Sequence, residues 1–163
     1  MKKIERVADY MRQHKLLLVT GESCTSGLIA ATLADVPGAG ELLDCAFVTY
    51  SVQAKQRCLK VSELTLLRHN LTSEPVAREM AIGALGRSRA NVAIANTGVV
   101  DDTDDEIPAG TQCFAWAFRS QSVPEGVAVF STTCRFTGDR VSIRRQSAEF
   151  ALEQIPHYHA SHN

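Results

Sequence analysis

The chain has 163 residues, of which 45% are hydrophobic and 21% are charged, enough apolar material to fold around a core. Its 17 basic and 18 acidic residues give a net charge of −1, so no overall basic field favours nucleic acid or a membrane. No apolar run approaches a membrane span, and the first twenty residues lack a signal-peptide pattern. We expect one cytoplasmic domain over residues 1–163, with neither nucleic acid nor membrane as a partner.

The cysteines bear on the redox chemistry of the chain. There are five, at Cys24, Cys45, Cys58, Cys113 and Cys134. Their number is odd and none form a C-x-x-C pair, which argues against both a disulfide framework and a thiolate zinc site. Only Cys24 lies in a chemically suggestive context, and the others are expected to be small buried hydrophobes.

Apolar periodicity predicts helices and strands that alternate over the first hundred residues. The predicted elements are a helix at 2–14, a strand at 16–20, a helix at about 25–35, a strand at 45–50, helices at 52–58 and after Ser62, a helix from Thr72-Ser73-Glu74-Pro75 to about Leu85, and a strand at 92–97. The 45–50 strand is apolar throughout, which predicts burial on both faces. Hydroxyl residues (Ser51, Ser62 and Thr72-Ser73) are predicted to cap the helices that follow them.

The last third of the chain has a different order of elements. Strands at 111–119 and 127–134 are predicted to form an antiparallel hairpin, and a long helix is predicted at about 139–154. The tail at 156–163 is expected to fray. This order predicts an α/β fold, a three-layer α/β/α sandwich on a mixed sheet.

The turn Gly21-Glu22-Ser23-Cys24-Thr25-Ser26-Gly27 joins the first strand to the second helix and carries hydroxyls and a thiol between glycines. A helix start offers unpaired N–H groups and a positive dipole end, which suit a nucleophile or an anion. Polar turns also follow the next two strands, at 50–55 and 97–106. If the three strands are parallel, all three turns meet at one edge of the sheet.

Ser23 and Lys55 lie on two of those turns and form a candidate catalytic pair. A lysine whose pKa is depressed by burial can accept the proton of a serine hydroxyl. Periodicity alone favours a plainer interpretation, in which Ser23 caps a helix and Lys55 is a solvated lysine. Ser51 and Lys55 at helical spacing form a weaker alternative pair. The turn lacks both the last glycine of a G-x-S-x-G elbow and the lysine of a Walker P-loop.

Other chemistry-bearing side chains have plain interpretations as well. Cys24 as a nucleophile needs a histidine partner, and His14 and His69 are candidates only by their presence, so a packed thiol is favoured. The acidic loop 101–106 lacks the spacing of a calcium loop and is expected to be solvated. Basic charge gathers near the last helix, at Arg135, Arg140, Arg144 and Arg145. The tail contains three histidines, at His157, His159 and His162. A metal site formed by them is not favoured.

Several blocks, in order, resemble a known family. They are Gly21-Glu22-Ser23-Cys24-Thr25-Ser26-Gly27-Leu28-Ile29-Ala30, Phe47-Val48-Thr49-Tyr50-Ser51-Val52-Gln53-Ala54-Lys55, Ser73-Glu74-Pro75-Val76-Ala77-Arg78-Glu79-Met80-Ala81 and Phe136-Thr137-Gly138-Asp139-Arg140 with Arg144-Arg145. Together these blocks resemble the C-terminal domain of competence/damage-inducible protein CinA, the family of nicotinamide-nucleotide amidases. The resemblance covers nearly the whole chain.

The resemblance implies a Ser/Lys amidohydrolase of pyridine nucleotide salvage that converts nicotinamide mononucleotide to nicotinate mononucleotide and ammonia. It implies Ser23 as the nucleophile, Lys55 as its general base and Tyr50 as a residue that assists proton transfer or orients the amide. It also implies three substrate-contacting residues, Thr25, Thr97 and Arg140. No cofactor or metal is implied, the partner is a small nucleotide substrate, and self-association is common in the family. Helix-start N–H groups after Ser23 are expected to hold the oxyanion.

The chain departs from the family pattern after the third strand. A Gly-Pro-Gly-Gly run is replaced by Asp101-Asp102-Thr103-Asp104-Asp105-Glu106, and Ser26 stands in place of a glycine. Carboxylates repel a phosphate, whereas amides of glycine-rich turns cradle one. Two hypotheses follow: an amidohydrolase acting on this nucleotide or a less anionic relative, or a catalytically silent paralogue that binds or regulates.

Overall fold

The computed structural model describes residues 2–163. The first half contains α1 (Lys2–Gln13), β1 (Leu18–Glu22), α2 (Leu28–Ala34), β2 (Leu43–Val48), α3 (Val52–Leu59), α4 (Glu63–Arg68) and α5 (Glu74–Gly86). The second half contains β3 (Val92–Gly98), β4 (Thr111–Arg119), β5 (Val127–Arg135), α6 (Arg140–Glu153) and α7 (Ile155–Ser161). Among the helices of residues 2–163, none combines the length and the apolarity needed to cross a membrane.

The five strands form one mixed sheet in the order β2-β1-β3-β4-β5. Strand β1 pairs in parallel with both β2 and β3, whereas β4 is antiparallel to β3 and to β5. The predicted hairpin is confirmed, and the first three strands are parallel, which is the condition on which the expected meeting of their turns depends. Because β1, β2 and β3 run the same way, the polar turns after them lie at the same edge of the sheet.

Alternate residues of the strands face two different helical layers, as the pleat of a strand requires. Leu18, Ile94 and Trp116 pack with helices α1, α2, α6 and α7 on one face. Val19, Ala95 and Ala115 pack with α3 and α5 on the other face. The predicted α/β/α sandwich is therefore confirmed, with a separate apolar core on each side of the sheet.

Strand β2 differs from its prediction. Its residues are half-buried or exposed rather than buried on both faces. The reason is its place in the sheet: β2 pairs only with β1 and forms one edge. An apolar run therefore indicated a strand correctly but did not indicate how many neighbours that strand has.

The helix caps agree with the sequence in most cases. Ser51 accepts a hydrogen bond from the Ala54 N–H, and Ser62 accepts one from the Thr65 N–H. Ser73 holds the corresponding position before α5, but its hydroxyl makes no capping bond. Helix α5 begins with Pro75 in its first turn nevertheless, since a proline there lacks only an N–H that would be unpaired anyway.

The C-terminal tail was expected to fray, and that expectation is wrong. Helix α7 spans Ile155–Ser161, and Ile155 is fully buried. The Tyr158 ring stacks on Trp116 with 4.6 Å between ring centroids and on Phe130 with 5.1 Å. These aromatic contacts with the distant strands β4 and β5 stabilise a segment whose local sequence gives little helix signal.

We predict that the docking of α7 weakens as the pH falls. The Tyr10 hydroxyl lies 2.8 Å from Nδ1 of His159, and the rings of His14 and His162 also face His159. Burial is the main cause that lowers the pKa of His159 below its ordinary value of 6.5, and the two neighbouring histidines lower it further. Because folding favours the neutral ring, this stabilisation is complete above pH 6.5 and is lost as the pH falls below it.

The midpoint temperature of unfolding, measured between neutral and mildly acidic pH, checks this prediction. His159→Gln should show a smaller decrease than the wild type, because glutamine does not titrate. The control is His157→Gln, at an exposed position of the same helix, which should follow the wild type. An equal decrease in all three proteins would contradict the prediction.

Candidate active site

The turns after β1 and β2 bring Ser23 and Lys55 together, although they are 32 residues apart in the chain. The Lys55 Nζ lies 2.9 Å from the Ser23 Oγ. It is also 2.9 Å from the carbonyl oxygen of Thr49 and 3.0 Å from that of Tyr50. Lys55 is 2% exposed and Ser23 8% exposed. Lys55 is therefore not a solvated surface lysine, the plainer of the two interpretations of the sequence.

The surroundings of Lys55 make its neutral form more accessible than that of an ordinary lysine. No carboxylate of residues 2–163 lies within ion-pair distance of its amine. Burial lowers the pKa of Lys55 from 10.5 to about 8. A neutral amine has two N–H groups and one lone pair. If the two carbonyl oxygens of Thr49 and Tyr50 accept the N–H groups, the lone pair faces Ser23, as a general base requires.

Two side chains of the neighbouring strands fix the backbone around Ser23. The Ser23 N–H donates to the Asn96 carbonyl at 3.0 Å, and the Thr25 N–H donates to Asn96 Oδ1 at 3.1 Å. The Asn96 amide in turn donates to Gln112 Oε1 at 2.9 Å. Asn96 and Gln112 are fully buried on β3 and β4, so the turn is held by the rigid centre of the sheet.

The start of helix α2 is occupied by a residue of the chain itself. The carboxylate of Glu22, which is fully buried, accepts hydrogen bonds from the N–H groups of Gly27, Ile29 and Ala30. It also accepts one from the Thr20 hydroxyl at 2.9 Å. A carboxylate is favourable at this end of a helix dipole. The helix-start N–H groups expected to hold an oxyanion are therefore already paired.

One backbone donor beside Ser23 is left. Within residues 2–163, the Cys24 N–H has no hydrogen-bond acceptor. It belongs to the residue directly after Ser23, the position from which the elbow of an α/β-hydrolase supplies one oxyanion donor. The Cys24 N–H, not the α2 terminus, is thus the candidate donor.

Arg144 of α6 braces the same turn from the other side. Its Nε donates to the Cys24 carbonyl at 3.0 Å, and a terminal nitrogen donates to the Ser26 Oγ at 2.8 Å. Ser26 has a φ of 42°, a left-handed backbone conformation that residues other than glycine adopt at a cost in free energy. The hydrogen bond to Arg144 compensates part of that cost, which explains how a serine is accommodated at this position.

Ser23 and Lys55 open into a cavity of about 450 Å³. Its walls come from the turns after β1, β2 and β3 and from the segment that follows α4. The lining residues are Ser23, Cys24, Tyr50, Lys55, Leu66, His69, Asn70, Leu71, Thr72, Thr97, Gly98, Val99 and Asp104. This volume lies within the range of ~300–1,000 Å³ that is typical of small-molecule sites.

The other predicted site residues lie in different places. Tyr50 is 60% exposed at the cavity wall, where its carbonyl contacts Lys55. Thr97 also lines the cavity, and its hydroxyl donates to the Leu71 carbonyl at 3.0 Å. Thr25, within the same turn, is fully buried and does not line the cavity. Arg140 is outside the cavity lining and pairs with Asp101 at 2.9 Å.

The thiol of Cys24 lies in the cavity wall but lacks the environment of a nucleophile. Burial raises its pKa, which disfavours the thiolate, although the Gln112 amide at 3.4 Å opposes this in part. His14 lies in a different pocket with His159, and His69 shares the cavity without a hydrogen bond to the thiol. The packed-thiol interpretation of Cys24 is therefore favoured by the structure as well.

The chain matches the model of one protein family over nearly its whole length. The model of the CinA C-terminal domain matches residues 1–159. The chain belongs to the CinA C-terminal domain family.

CinA relatives differ in length and in name. The chain is 37% identical over 153 residues to the nicotinamide-nucleotide amidohydrolase PncC of Escherichia coli K12, covering 93% of this chain and 89% of that protein. It is 40% identical over 155 residues to a CinA-like protein of Chlorobaculum tepidum, covering 93% of this chain but 36% of that longer protein. The chain therefore spans most of the length of the PncC protein but only about a third of the length of the CinA-like relative.

CinA superfamily crystal structures share the fold. A competence/damage-inducible protein from Agrobacterium tumefaciens superimposes with a TM-score of 0.86 at 34% identity, covering 96% of this chain and 93% of that one. One from Klebsiella pneumoniae subsp. pneumoniae gives a TM-score of 0.88 at 32% identity, covering 98% and 96%. The mixed sheet with helices on both faces is thus the fold of this CinA domain.

Sequence reasoning missed several residues of this CinA site. Glu22, Asn96 and Gln112 were not singled out, although each is a polar residue within a strand that is otherwise buried. That mismatch was the available signal, because a buried polar side chain needs partners. Which partners it finds depends on the strand order β1-β3-β4, which the sequence does not display.

Proposed function

We propose that this chain is a Ser/Lys amidohydrolase that hydrolyses the carboxamide of a nicotinamide nucleotide, with nicotinamide mononucleotide as the reference substrate. The observation that carries the proposal is the 2.9 Å contact between Ser23 Oγ and a buried Lys55 with no carboxylate partner. The name of the Escherichia coli relative supplies the substrate class. The products are the corresponding nicotinate nucleotide and ammonia.

In the proposed mechanism the neutral Lys55 removes the Ser23 proton as Oγ attacks the carboxamide carbon. The Cys24 N–H donates to the oxyanion of the tetrahedral intermediate. Lys55 then gives its proton to the departing nitrogen. The C–N bond breaks, ammonia leaves, and the acyl group remains as an ester on Ser23 Oγ. Water, deprotonated by Lys55, hydrolyses that ester and regenerates the serine. Tyr50 orients the amide at the cavity wall and Thr97 forms part of that wall, whereas Thr25 is buried outside the cavity lining and does not contact the substrate.

The assay is ammonia release from nicotinamide mononucleotide. Ser23→Ala should reduce kcat by about 10³-fold or more, because removal of the nucleophile leaves only binding and oxyanion stabilisation. Cys24→Ala should retain most of the activity, since its backbone N–H remains. Loss of activity in Cys24→Ala with retention in Ser23→Ala would instead identify the thiol as the nucleophile.

A catalytically silent paralogue is the second candidate. The observation that favours it is the acidic loop, whose Asp104 lies in the cavity wall. A silent protein would release no ammonia above the Ser23→Ala background from any pyridine carboxamide. Ligand binding without turnover, measured by calorimetry, would then support a binding or regulatory module.

A further inference from the structure

The charge of the cavity wall bears on which carboxamide this site accepts. Besides Lys55, the one lining side chain that carries a full charge is Asp104. Lys55 Nζ is already in contact with Ser23 and two backbone carbonyls. The remaining wall, where a substrate extends beyond its reacting amide, thus offers one imidazole, that of His69, and otherwise groups that are uncharged or negative.

Asp104 is held in the wall by three hydrogen bonds. Its Oδ2 accepts from the amide of Asn70, in the segment after α4, at 3.1 Å. Its Oδ1 accepts from the N–H groups of Glu106 and Ile107 at 2.8 and 2.9 Å. The hydrogen bond from Asn70 lowers the pKa of Asp104 the most, and the two backbone hydrogen bonds lower it further. The carboxylate is therefore ionised and fixed at neutral pH, not free to swing away.

The two arginines that act electrostatically on Cys24 are engaged elsewhere. Arg140 pairs with Asp101 at 2.9 Å, and Arg144 donates to the Cys24 carbonyl and the Ser26 hydroxyl. None of the residues that line the cavity is an arginine. A substrate phosphate in this cavity would meet a carboxylate and no guanidinium, although Arg forks are the usual phosphate ligands.

We propose that Asp104 is a specificity-determining residue that selects pyridinium carboxamides without a phosphate, so that the nucleoside nicotinamide riboside is preferred over nicotinamide mononucleotide. This inference rests on the proposed amidohydrolase function. The fixed carboxylate suits both the positive pyridinium ring and the hydroxyl donors of a ribose. The same carboxylate repels the two negative charges of a phosphate monoester.

The test compares kcat/KM for the two substrates in the wild type and in Asp104→Asn. The wild type should favour the riboside by about 10-fold or more, as expected for one uncompensated charge contact near a surface. Asp104→Asn should raise kcat/KM for the mononucleotide by about 10-fold and change the riboside value much less. Asp102→Asn, at an exposed position of the same loop outside the cavity lining, should leave the ratio unchanged.

A measurement on the wild type keeps the test valid if Asp104→Asn disturbs the loop. Added salt screens the repulsion, so kcat/KM for the mononucleotide should rise with ionic strength while that for the riboside does not. A wild-type preference for the mononucleotide, or a ratio that neither Asp104→Asn nor salt changes, would overturn the inference alone. Absence of turnover with both substrates would instead refute the proposed function.

Discussion

Lys55→Ala should lower kcat/KM for ammonia release by about 10³-fold, within the range of ~10²–10⁴ that a positioned general base contributes. In the wild type, kcat/KM should rise with pH and level off on passing the lysine pKa of about 8. The sign follows from the chemistry: only the neutral amine accepts the Ser23 proton, and its fraction increases above the pKa. Initial rates on either side of that pH provide the measurement.

Two variants sharpen this test. Lys55→Arg keeps a positive charge but supplies no base at these pH values, so it should be as inactive as Lys55→Ala. Arg57→Ala removes an exposed cation from the same helix and should keep both the rate and the pH profile. A Lys55→Ala protein that retains the wild-type rise with pH would show that another group titrates, and would remove Lys55 from the proposed mechanism.

Gly83→Ala should destabilise the protein by about 1–3 kcal/mol, as overpacking of a tight core does. A Cβ at Gly83 would overlap the backbone carbonyl of Leu59, where α5 crosses α3. Backbone cannot move aside as a flexible side chain can, so the two helices must separate. The free energy of unfolding from urea titration provides the measurement.

Gly83→Ala should also lower the catalytic rate, because it displaces the helix that carries Lys55. Leu59 ends α3, and Lys55 lies on the preceding turn of that helix. A shift of about 1 Å in a catalytic group can cost ~10²-fold in rate, so kcat should fall together with stability. Gly86→Ala is the matched control: it lies on the same helix with nothing within 4 Å of the added Cβ. Helix propensity alone stabilises alanine over glycine by up to ~1 kcal/mol, so equal stabilisation of both variants would contradict the predicted clash.

Much of the fold was predictable because its signals are local. Short apolar runs indicated β1, β2 and β3, and helical periodicity indicated the helices between them. The short connection between the two late strands indicated the β4–β5 hairpin, whose antiparallel pairing the structure confirms. The three polar turns were expected at one edge only if their strands are parallel, and the structure meets that condition. These features depend on residues close together in the chain, which pattern and turn chemistry describe well.

The pairing of Ser23 with Lys55 was only partly predictable. Their spacing left open a helix cap and a solvated lysine, and the family resemblance was what gave the serine its partner. The structure adds what neither provides: Lys55 is buried, has no carboxylate partner and lies 2.9 Å from Ser23 Oγ. Burial of a side chain is a property of everything packed around it, so no short motif can specify it.

For the turn Gly21–Gly27, the sequence predicted the local structure but not the tertiary contacts that hold it. The sequence by itself determined that a hydroxyl-rich turn joins an apolar strand to a helix in an α/β fold. Only the tertiary structure decided that Glu22 occupies the α2 terminus, that Asn96 and Arg144 brace the turn, and that Asp104 faces the same cavity. The physical reason is that hydrogen-bond partners and electrostatic neighbours are set by distance in space, which the chain fixes only once strands and helices far apart in sequence have packed together.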